Sequence, residues 1–250
     1  MILIVGLISH LENGNANMNN NLLQIKIKQR LNKLASLDYD NLECWQIQEA
    51  ANKAQIEWTR RQLYAINTRK EGAEQSSGIV DDVQKLLKHV ELPMVDKGIY
   101  YECSNLPDDY LHYVRTDVFA EKECCPPRRM TVYQVEEANI SIILDDKNKQ
   151  PNFDWAETVS TIMSNKLKVY TNNQFAIPEC HLIYYRKPRE IKFNGCIDIA
   201  DGTFYTSDQT CEFNDDVAEI IADNTAMILA GDIESVTQYQ REQQAVQTNS

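Results

Sequence analysis

The fold is constrained most by residues 165–191, NKLKVYTNNQFAIPECHLIYYRKPREI. β-Branched and aromatic residues on both sides of a polar break are typical of two paired strands. Apolar residues then recur at helical spacing between acidic ones in residues 214–244. Together these patterns predict a folded protein that contains both sheet and helix, and only eight glycines and seven prolines in 250 residues argue against a fibrous or low-complexity chain.

Three helices are predicted before residue 91. The first covers residues 19–36, where apolar residues at helical spacing alternate with basic ones; they are Leu22, Ile25, Leu31 and Leu34. The second begins at Asp38 or Asp40, either of which can cap it, and fades near Thr68. Its apolar stripe consists of Leu42, Trp45, Ala50, Ala54, Trp58 and Leu63. A polar linker at 69–78 precedes a short third helix at 79–90, which Pro93 ends.

Residues 97–212 change character and predict an antiparallel sheet or a small sandwich, because short β-branched and aromatic runs alternate with turn-like breaks. One helix is expected inside this region at residues 155–163, since Asp154 and Glu157 form a capping-box pattern. A last helix is predicted for residues 215–240, capped by Asn214.

The predicted fold class is therefore α+β, a helical bundle of N-terminal and C-terminal helices with an inserted antiparallel β domain. The expected divisions are an unassigned N-terminal segment at 1–18, a helical region at 19–90, a β-rich domain at 91–212, a C-terminal helix at 213–241 that packs on the N-terminal helices, and a flexible tail at 242–250. The apolar run Ile2–Ser9 is too short to span a bilayer and lacks the basic flank of a signal peptide, so no membrane anchor is expected. An added strand is one interpretation of this run, and a true start at Met18 is another.

The net charge of -12 is unevenly distributed along the chain. Residues 19–70 carry nine Lys/Arg and five Asp/Glu, a balance of +4, whereas residues 205–250 carry nine acids and one base, a balance of -8. This asymmetry predicts that the two ends pair, either within one subunit or between neighbours. An acidic protein is a poor candidate for wrapping nucleic acid, because phosphate affinity comes from Lys and Arg. Seven irregularly spaced cysteines in a chain of this length predict reduced thiols.

No motif for catalysis or metal binding is convincing, and neither a metal nor another cofactor is predicted. An EF-hand-like register at residues 146–157 has Pro151 where the loop requires glycine. No cysteine pair has the usual zinc-ligand spacing. One alternative stays open, a cytosolic enzyme that uses a cysteine–histidine pair formed only on folding. Its candidates are Cys180 or Cys211 with His112 or His181.

The segment YYRKPRE at residues 184–190 has three interpretations. It is a strand end with its bases bridged to acids, a subunit contact rich in Tyr and Arg, or a nucleic-acid contact through charge and stacking. A protein interface is predicted to include Tyr184, Tyr185, Arg186, Lys187, Arg189, Arg60, Arg61, Asp232 and Glu234.

Residues 165–191, 195–202 (GCIDIADG) and 211–244 together resemble virion structural proteins of crAss-like tailed bacteriophages. The likeness is greatest to the ring proteins of the neck, between portal and tail. This resemblance implies a non-enzymatic head-to-tail connector, akin to tail-tubular or adaptor proteins, that is made in the bacterial cytoplasm and ends in the virion. The implied partners are copies of itself in a ring, commonly a dodecamer, the portal protein, adjacent neck or tail rings, and DNA that passes through the lumen without specific binding. A nucleic-acid-binding accessory protein is the remaining alternative.

Overall fold

The computed structural model describes residues 18–32, 42–65, 82–123, 125–198 and 201–232. The chain divides into a terminal unit, formed by residues 1–82 and 188–250, and a sheet unit, formed by residues 83–187. The helices are α1 (Asn20–Asn32), α2 (Cys44–Ala65), α3 (Ile140–Asp145) and α4 (Asp215–Asp232), and a 3-10 turn (Glu137–Asn139) precedes α3. The strands are β1 (Leu87–Glu91), β2 (Met94–Asp96), β3 (Tyr100–Cys103), β4 (Tyr110–Lys122), β5 (Cys125–Gln134), β6 (Glu157–Met163), β7 (Lys166–Tyr170) and β8 (Ala176–Arg186). No helix in the described ranges is long and apolar enough to cross a bilayer.

The sheet unit is one curled, mixed sheet of eight strands in the order β1-β8-β4-β5-β6-β7-β3-β2. Its neighbours are antiparallel except for β5 and β6, which run parallel. The first half of β5 pairs with β4 and the second half with β6. Strand β5 therefore joins two antiparallel half-sheets.

The sheet curls because its two edge strands are consecutive in the chain. Only Leu92 and Pro93 separate β1 from β2, and such a link spans at most about 11 Å. In a flat sheet of eight strands the two edges would stand roughly 34 Å apart. The concave face is filled by alternate residues of the strands, among them Val118, Leu167 and Leu182, all of them fully buried.

The predicted fold class is wrong. A helical bundle with an inserted antiparallel β domain does not describe this chain, because the curled mixed sheet dominates the structure and helices are few. Two segments with predicted helices supply strands instead. Residues 87–91 form β1, which pairs with β8, and residues 157–163 form β6, which pairs with β5 and β7.

Side-chain shape explains the second of these errors. The run Thr158–Ile162 contains two threonines, a valine and an isoleucine, and such β-branched residues pack well on a pleated surface. The supposed capping box at Asp154 instead belongs to a turn, in which the Asn152 side chain accepts hydrogen bonds from the backbone of Asp154 and Trp155. The crossover from β5 to β6 contains the short helix α3, which was not predicted.

This crossover also covers part of the convex face of the sheet. The Glu137 carboxylate accepts a hydrogen bond from Lys168 Nζ at 2.8 Å and another from the Tyr170 hydroxyl. Burial alone would raise the pKa of Glu137, but the hydrogen bond and the positive charge of Lys168 outweigh it and lower the pKa. The ion pair therefore fastens the crossover to β7.

In the terminal unit, α1 and α2 both pack against α4. The buried face of α1 is formed by Leu23, Ile27 and Leu31, so the predicted stripe is wrong at Leu22 and Ile25, which are exposed. On α2 the prediction holds better, since Ala50, Ala54, Trp58 and Leu63 are all buried. Trp58 meets Phe213 edge to face, with ring centroids 4.9 Å apart.

Basic residues of α1 form ion pairs with acidic residues of α4 within the same chain. Arg30 of α1 forms ion pairs with Glu219, at 2.6 Å, and with Asp223, both on α4. Lys26 pairs with Glu219 as well. Because the Arg30 side chain is only 17% exposed, these pairs are screened less than ordinary surface pairs. Of the two arrangements left open by the sequence, pairing within one subunit accounts for these residues.

A ladder of side-chain amides on α2 holds residues 189–193 in an extended conformation. Gln48 Oε1 accepts a hydrogen bond from the backbone N–H of Phe193 at 3.0 Å. Asn52 accepts from the N–H of Ile191 at 2.7 Å and donates to its carbonyl at 3.1 Å. The Gln55 amide donates to the carbonyl of Arg189 at 2.7 Å.

The amides of α2 can reach successive backbone groups because the distance they span along the helix is close to the length of the extended segment. From residue 48 to residue 55 a helix rises roughly 10.5 Å, and from residue 189 to residue 193 an extended chain covers roughly 13 Å. Long amide side chains bridge the difference. They satisfy backbone groups beside the buried side chains of Ile191 and Phe193, where water could not do so.

We expect Asn52→Ala to lower the free energy of unfolding by about 2–4 kcal/mol, because it leaves both backbone groups of Ile191 without their partner. Urea denaturation measures this change. The control is Lys53→Ala, which removes an exposed side chain from the adjacent position of α2. Equal stability of the two variants would contradict a structural role for the ladder.

Candidate interaction surface

Tyr184 belongs to the core of the sheet unit and not to its surface. It is fully buried, and its hydroxyl donates a hydrogen bond to Asp109 Oδ1 at 2.6 Å. Lys88 Nζ binds the other carboxylate oxygen at 2.7 Å. Burial and the neighbouring Asp109 carboxylate raise the pKa of Tyr184. Its hydroxyl therefore has a partner inside the fold.

The rest of the YYRKPRE segment is also largely engaged within the chain. Tyr185 and Arg186 are half-buried, and the exposed Lys187 donates from Nζ to the carbonyl of Asp108 at 3.2 Å. The segment passes from the sheet unit into the terminal unit after Lys187. There Arg189 donates to the buried carboxylate of Glu212, from its backbone N–H at 3.0 Å and from Nε at 3.2 Å. These contacts match the interpretation of a strand end whose bases meet acceptors within the chain.

The other predicted interface residues are divided between the surface and the undescribed part of the chain. Arg60 and Arg61 are exposed on α2 and have no ion-pair partner among the described residues. Asp232 ends α4, and its side chain lies outside the described residues, as does Glu234 entirely.

Of the candidate nucleophiles, Cys180 is a core thiol that does not share a hydrogen bond with His181. Cys180 is completely buried, and this burial raises its pKa to about 12. Its thiol faces the core, whereas His181 binds Glu179 Oε1 at 2.7 Å. Cys211 is also buried and lies 3.5 Å from Gln55 Oε1. A nucleophile must be a thiolate, which the environment of Cys180 opposes.

A wide cavity of about 870 Å³ opens at one end of the curled sheet. Turns between strands line it, and its charged residues are Asp96, Glu121, Lys122 and Glu123. No group of three or more His, Cys, Asp or Glu side chains in the described ranges could hold a metal ion. The cavity therefore offers volume but no convergent chemistry.

One surface feature of the terminal unit is a hairpin arm, which we define as residues 192–198 and 201–209, the described parts of this segment. At its base Asp208 accepts hydrogen bonds from the Asn20 side chain at 3.0 Å and from the backbone N–H of Asn194 at 3.1 Å. Near its tip the arm exposes two apolar side chains that face each other across the strands, Ile197 at 40% and Phe204 at 65% exposure.

Residues 201–203, on the described side of the tip of the arm, are held by local hydrogen bonds. Gly202 has φ +72°, a conformation that favours glycine. Asp201 accepts hydrogen bonds from the backbone N–H of Thr203 at 2.9 Å and from its hydroxyl at 2.7 Å, and these bonds lower its pKa. Phe204 thus directly follows a locally hydrogen-bonded segment. The Asp–Gly pair is a hairpin signal in the sequence, although Ile197 and Phe204 were not among the predicted interface residues.

A second apolar feature of the terminal unit is a groove of about 310 Å³ between α2 and α4. It is lined by Leu42, Trp45, Gln46, Glu49, Ala50, Lys53, Ile228 and Leu229. Trp45 and Ile228 are only half-buried. The terminal unit therefore displays both a projecting apolar pair and an apolar recess.

We expect Asp109→Asn to destabilise the sheet unit at pH 7 but progressively less in acid. Burial would raise the pKa of Asp109, but hydrogen bonds from Lys88 and Tyr184 outweigh it and hold the pKa below 3.8. A carboxyl group with a depressed pKa contributes stability that is fully present above its unfolded pKa, and this contribution is lost as pH falls through the folded pKa. Denaturation midpoints at pH 7, 5 and 3 measure it, with the exposed neighbour variant Asp108→Asn as control. A difference from wild type that does not change with pH would contradict the assignment.

Comparison with known proteins leaves the fold and the geometry as the basis for assigning function. No protein-family model matches the chain, and no curated protein matches it significantly.

Proposed function

We propose that this chain is a non-enzymatic connector of a tailed-phage virion, a subunit that assembles into a ring between portal and tail. The main support is the pair of exposed apolar side chains on the hairpin arm, Phe204 at 65% and Ile197 at 40%, beside the hydrogen-bonded residues 201–203. Two adjacent exposed apolar side chains on a locally fixed segment are explained if another protein surface covers them.

The α2–α4 groove of a second copy is the proposed site for the arm. In this contact the side chains of Phe204 and Ile197 would pack into the groove beside Trp45 and Ile228. Because the arm and the groove are different surfaces of one subunit, their contact is heterologous. Repeated contacts of this kind close into a ring when the rotation between subunits allows it.

Charge supports the same pairing. Residues 196–207 of the arm contain two acids, Asp198 and Asp201, and no base. Among the described residues that line the groove, Lys53 is the one base and Glu49 the one acid, and Arg60 and Arg61 lie further along α2. An acidic arm is thus directed toward a helix with a small excess of positive charge. Complementary charge orients partners more than it adds to affinity.

The resemblance to neck ring proteins and the net charge of -12 support the location in the virion. Duplex DNA passing through an acidic ring would be repelled by the wall and would not bind to it. In this proposal the subunits provide shape and polarity, and no substrate is converted.

We expect the purified chain to form discrete oligomers in mass photometry, alone or with the portal protein of the phage that encodes it. Phe204→Asp is expected to raise the dissociation constant of the oligomer about 10- to 100-fold, because it removes the burial of one large aromatic side chain. Trp45→Ala should have a comparable effect from the opposite side of the contact.

The control for Phe204→Asp is Ser207→Asp, which adds the same charge to an exposed position of the arm and keeps the apolar pair. Unfolding curves must show that all variants fold like the wild type. A chain that stays monomeric at every concentration and with the portal protein would refute the connector. Oligomers that ignore both Phe204 and Trp45 would refute this contact while leaving the connector possible.

Lys53→Glu is expected to weaken assembly about two- to fivefold, because it places like charges on arm and groove. Arg61→Glu makes the same change on α2 outside the groove and should have a smaller effect. The dissociation constants at low and high salt measure both. Equal effects of the two substitutions would show that only the overall charge of α2 matters.

A further inference from the structure

We propose that Cys44 and Cys196 form a thiol–disulfide latch, which closes by exchange with a low-molecular-weight disulfide such as oxidised glutathione and fixes the hairpin arm to α2. This inference does not depend on the connector function. It rests on the position of the two cysteines in the terminal unit.

The two cysteines form a disulfide in the structure, so the prediction of reduced thiols is wrong for this pair; their Cα atoms are 5.6 Å apart although 152 residues separate them in sequence. Disulfides usually join Cα atoms 4.4–6.8 Å apart. Cys44 is the first residue of α2 and is half-buried, whereas Cys196 is 2% exposed. Among the other described cysteines, Cys103, Cys180 and Cys211 are buried and Cys125 is partly exposed.

The latch lies in line with the amide ladder. Residues 44, 48, 52 and 55 share one face of α2, because residues three and four apart are neighbours on a helix. Toward the N-terminus of α2, this face presents Gln55, Asn52 and Gln48, which bind residues 189, 191 and 193 in turn. Cys44 follows at the first position of the helix and is bonded to Cys196. The disulfide therefore adds a covalent contact where the hydrogen-bonded contacts end.

Its position gives the latch a specific effect on the arm. Cys196 directly precedes Ile197, and its carbonyl accepts the backbone N–H of Tyr205 at 2.9 Å. When the disulfide is closed, the strand that carries Ile197 is tethered to α2 just below the exposed apolar pair. When the disulfide is reduced, the amide ladder still holds residues 189–193. The arm beyond residue 193 then has hydrogen bonds but no covalent bond to α2.

Thiol–disulfide exchange closes the latch in two steps. The more accessible Cys44 thiolate attacks one sulfur of oxidised glutathione, which forms a mixed disulfide and releases one glutathione thiolate. The Cys196 thiolate then attacks the Cys44 sulfur and releases the second. The protein is oxidised by two electrons and glutathione disulfide is reduced to two thiols, which take up the two protons that the cysteines lose.

The test treats the folded, reduced full chain with oxidised glutathione, blocks remaining thiols, and measures intact mass and disulfide-linked peptides. We expect one intramolecular disulfide, Cys44–Cys196, in the wild type and in Cys125→Ser, but not in Cys44→Ser. Closure should raise the melting temperature by about 5–15 °C and slow amide hydrogen exchange in residues 196–205. Cys44→Ser should show neither change.

Three results would overturn the latch. In the first, Cys44 and Cys196 of the wild type stay reduced. In the second, the disulfide forms between other cysteines. In the third, the Cys44–Cys196 disulfide forms but amide hydrogen exchange in residues 196–205 does not change. Cys196→Ala provides a second variant if Cys44→Ser fails to fold, and it must also lack the disulfide and both of its effects.

Discussion

A buried extended segment must find partners for its backbone groups, and in the terminal unit α2 supplies them with amide side chains. Gln48, Asn52 and Gln55 bind every second residue from 189 to 193, as a neighbouring strand would. Three further features follow from this arrangement. Ile191 and Phe193 can enter the core, Arg189 is placed beside the buried Glu212, and the hairpin arm begins at a defined position. The position at which the arm begins is therefore fixed by α2, a helix more than 130 residues away in sequence.

The sheet unit is governed by a different constraint, the short link between its two edge strands. Because Leu92 and Pro93 join β1 to β2, strands that end the sheet on opposite sides must approach each other. The sheet curls and encloses a single apolar core, in which Tyr184 is buried with its hydroxyl bound to Asp109.

Local patterns predicted much of the secondary structure but little of its arrangement. The strands around residues 165–186 and the helices α1, α2 and α4 follow from periodicity and residue type. The helix predicted for 155–163 failed because a capping-box pattern was weighed above β-branched side chains. Residues 87–91 became a strand through pairing with β8, which only tertiary structure reveals. At the candidate site, charge and aromatic content pointed to residues 184–190, whereas the exposed apolar pair lies on the arm. The ladder could not be predicted, since its partners are more than 130 residues apart.

In the proposed ring, the arm of one subunit occupies the α2–α4 groove of the next. Amide hydrogen exchange on the wild type, measured across the concentration range of its assembly, probes both surfaces at once. Residues 196–205 and residues 45–53 are expected to gain protection together, at the concentration where the oligomer appears. If neither segment gains protection on assembly, or only one of them does, the arm does not occupy the groove.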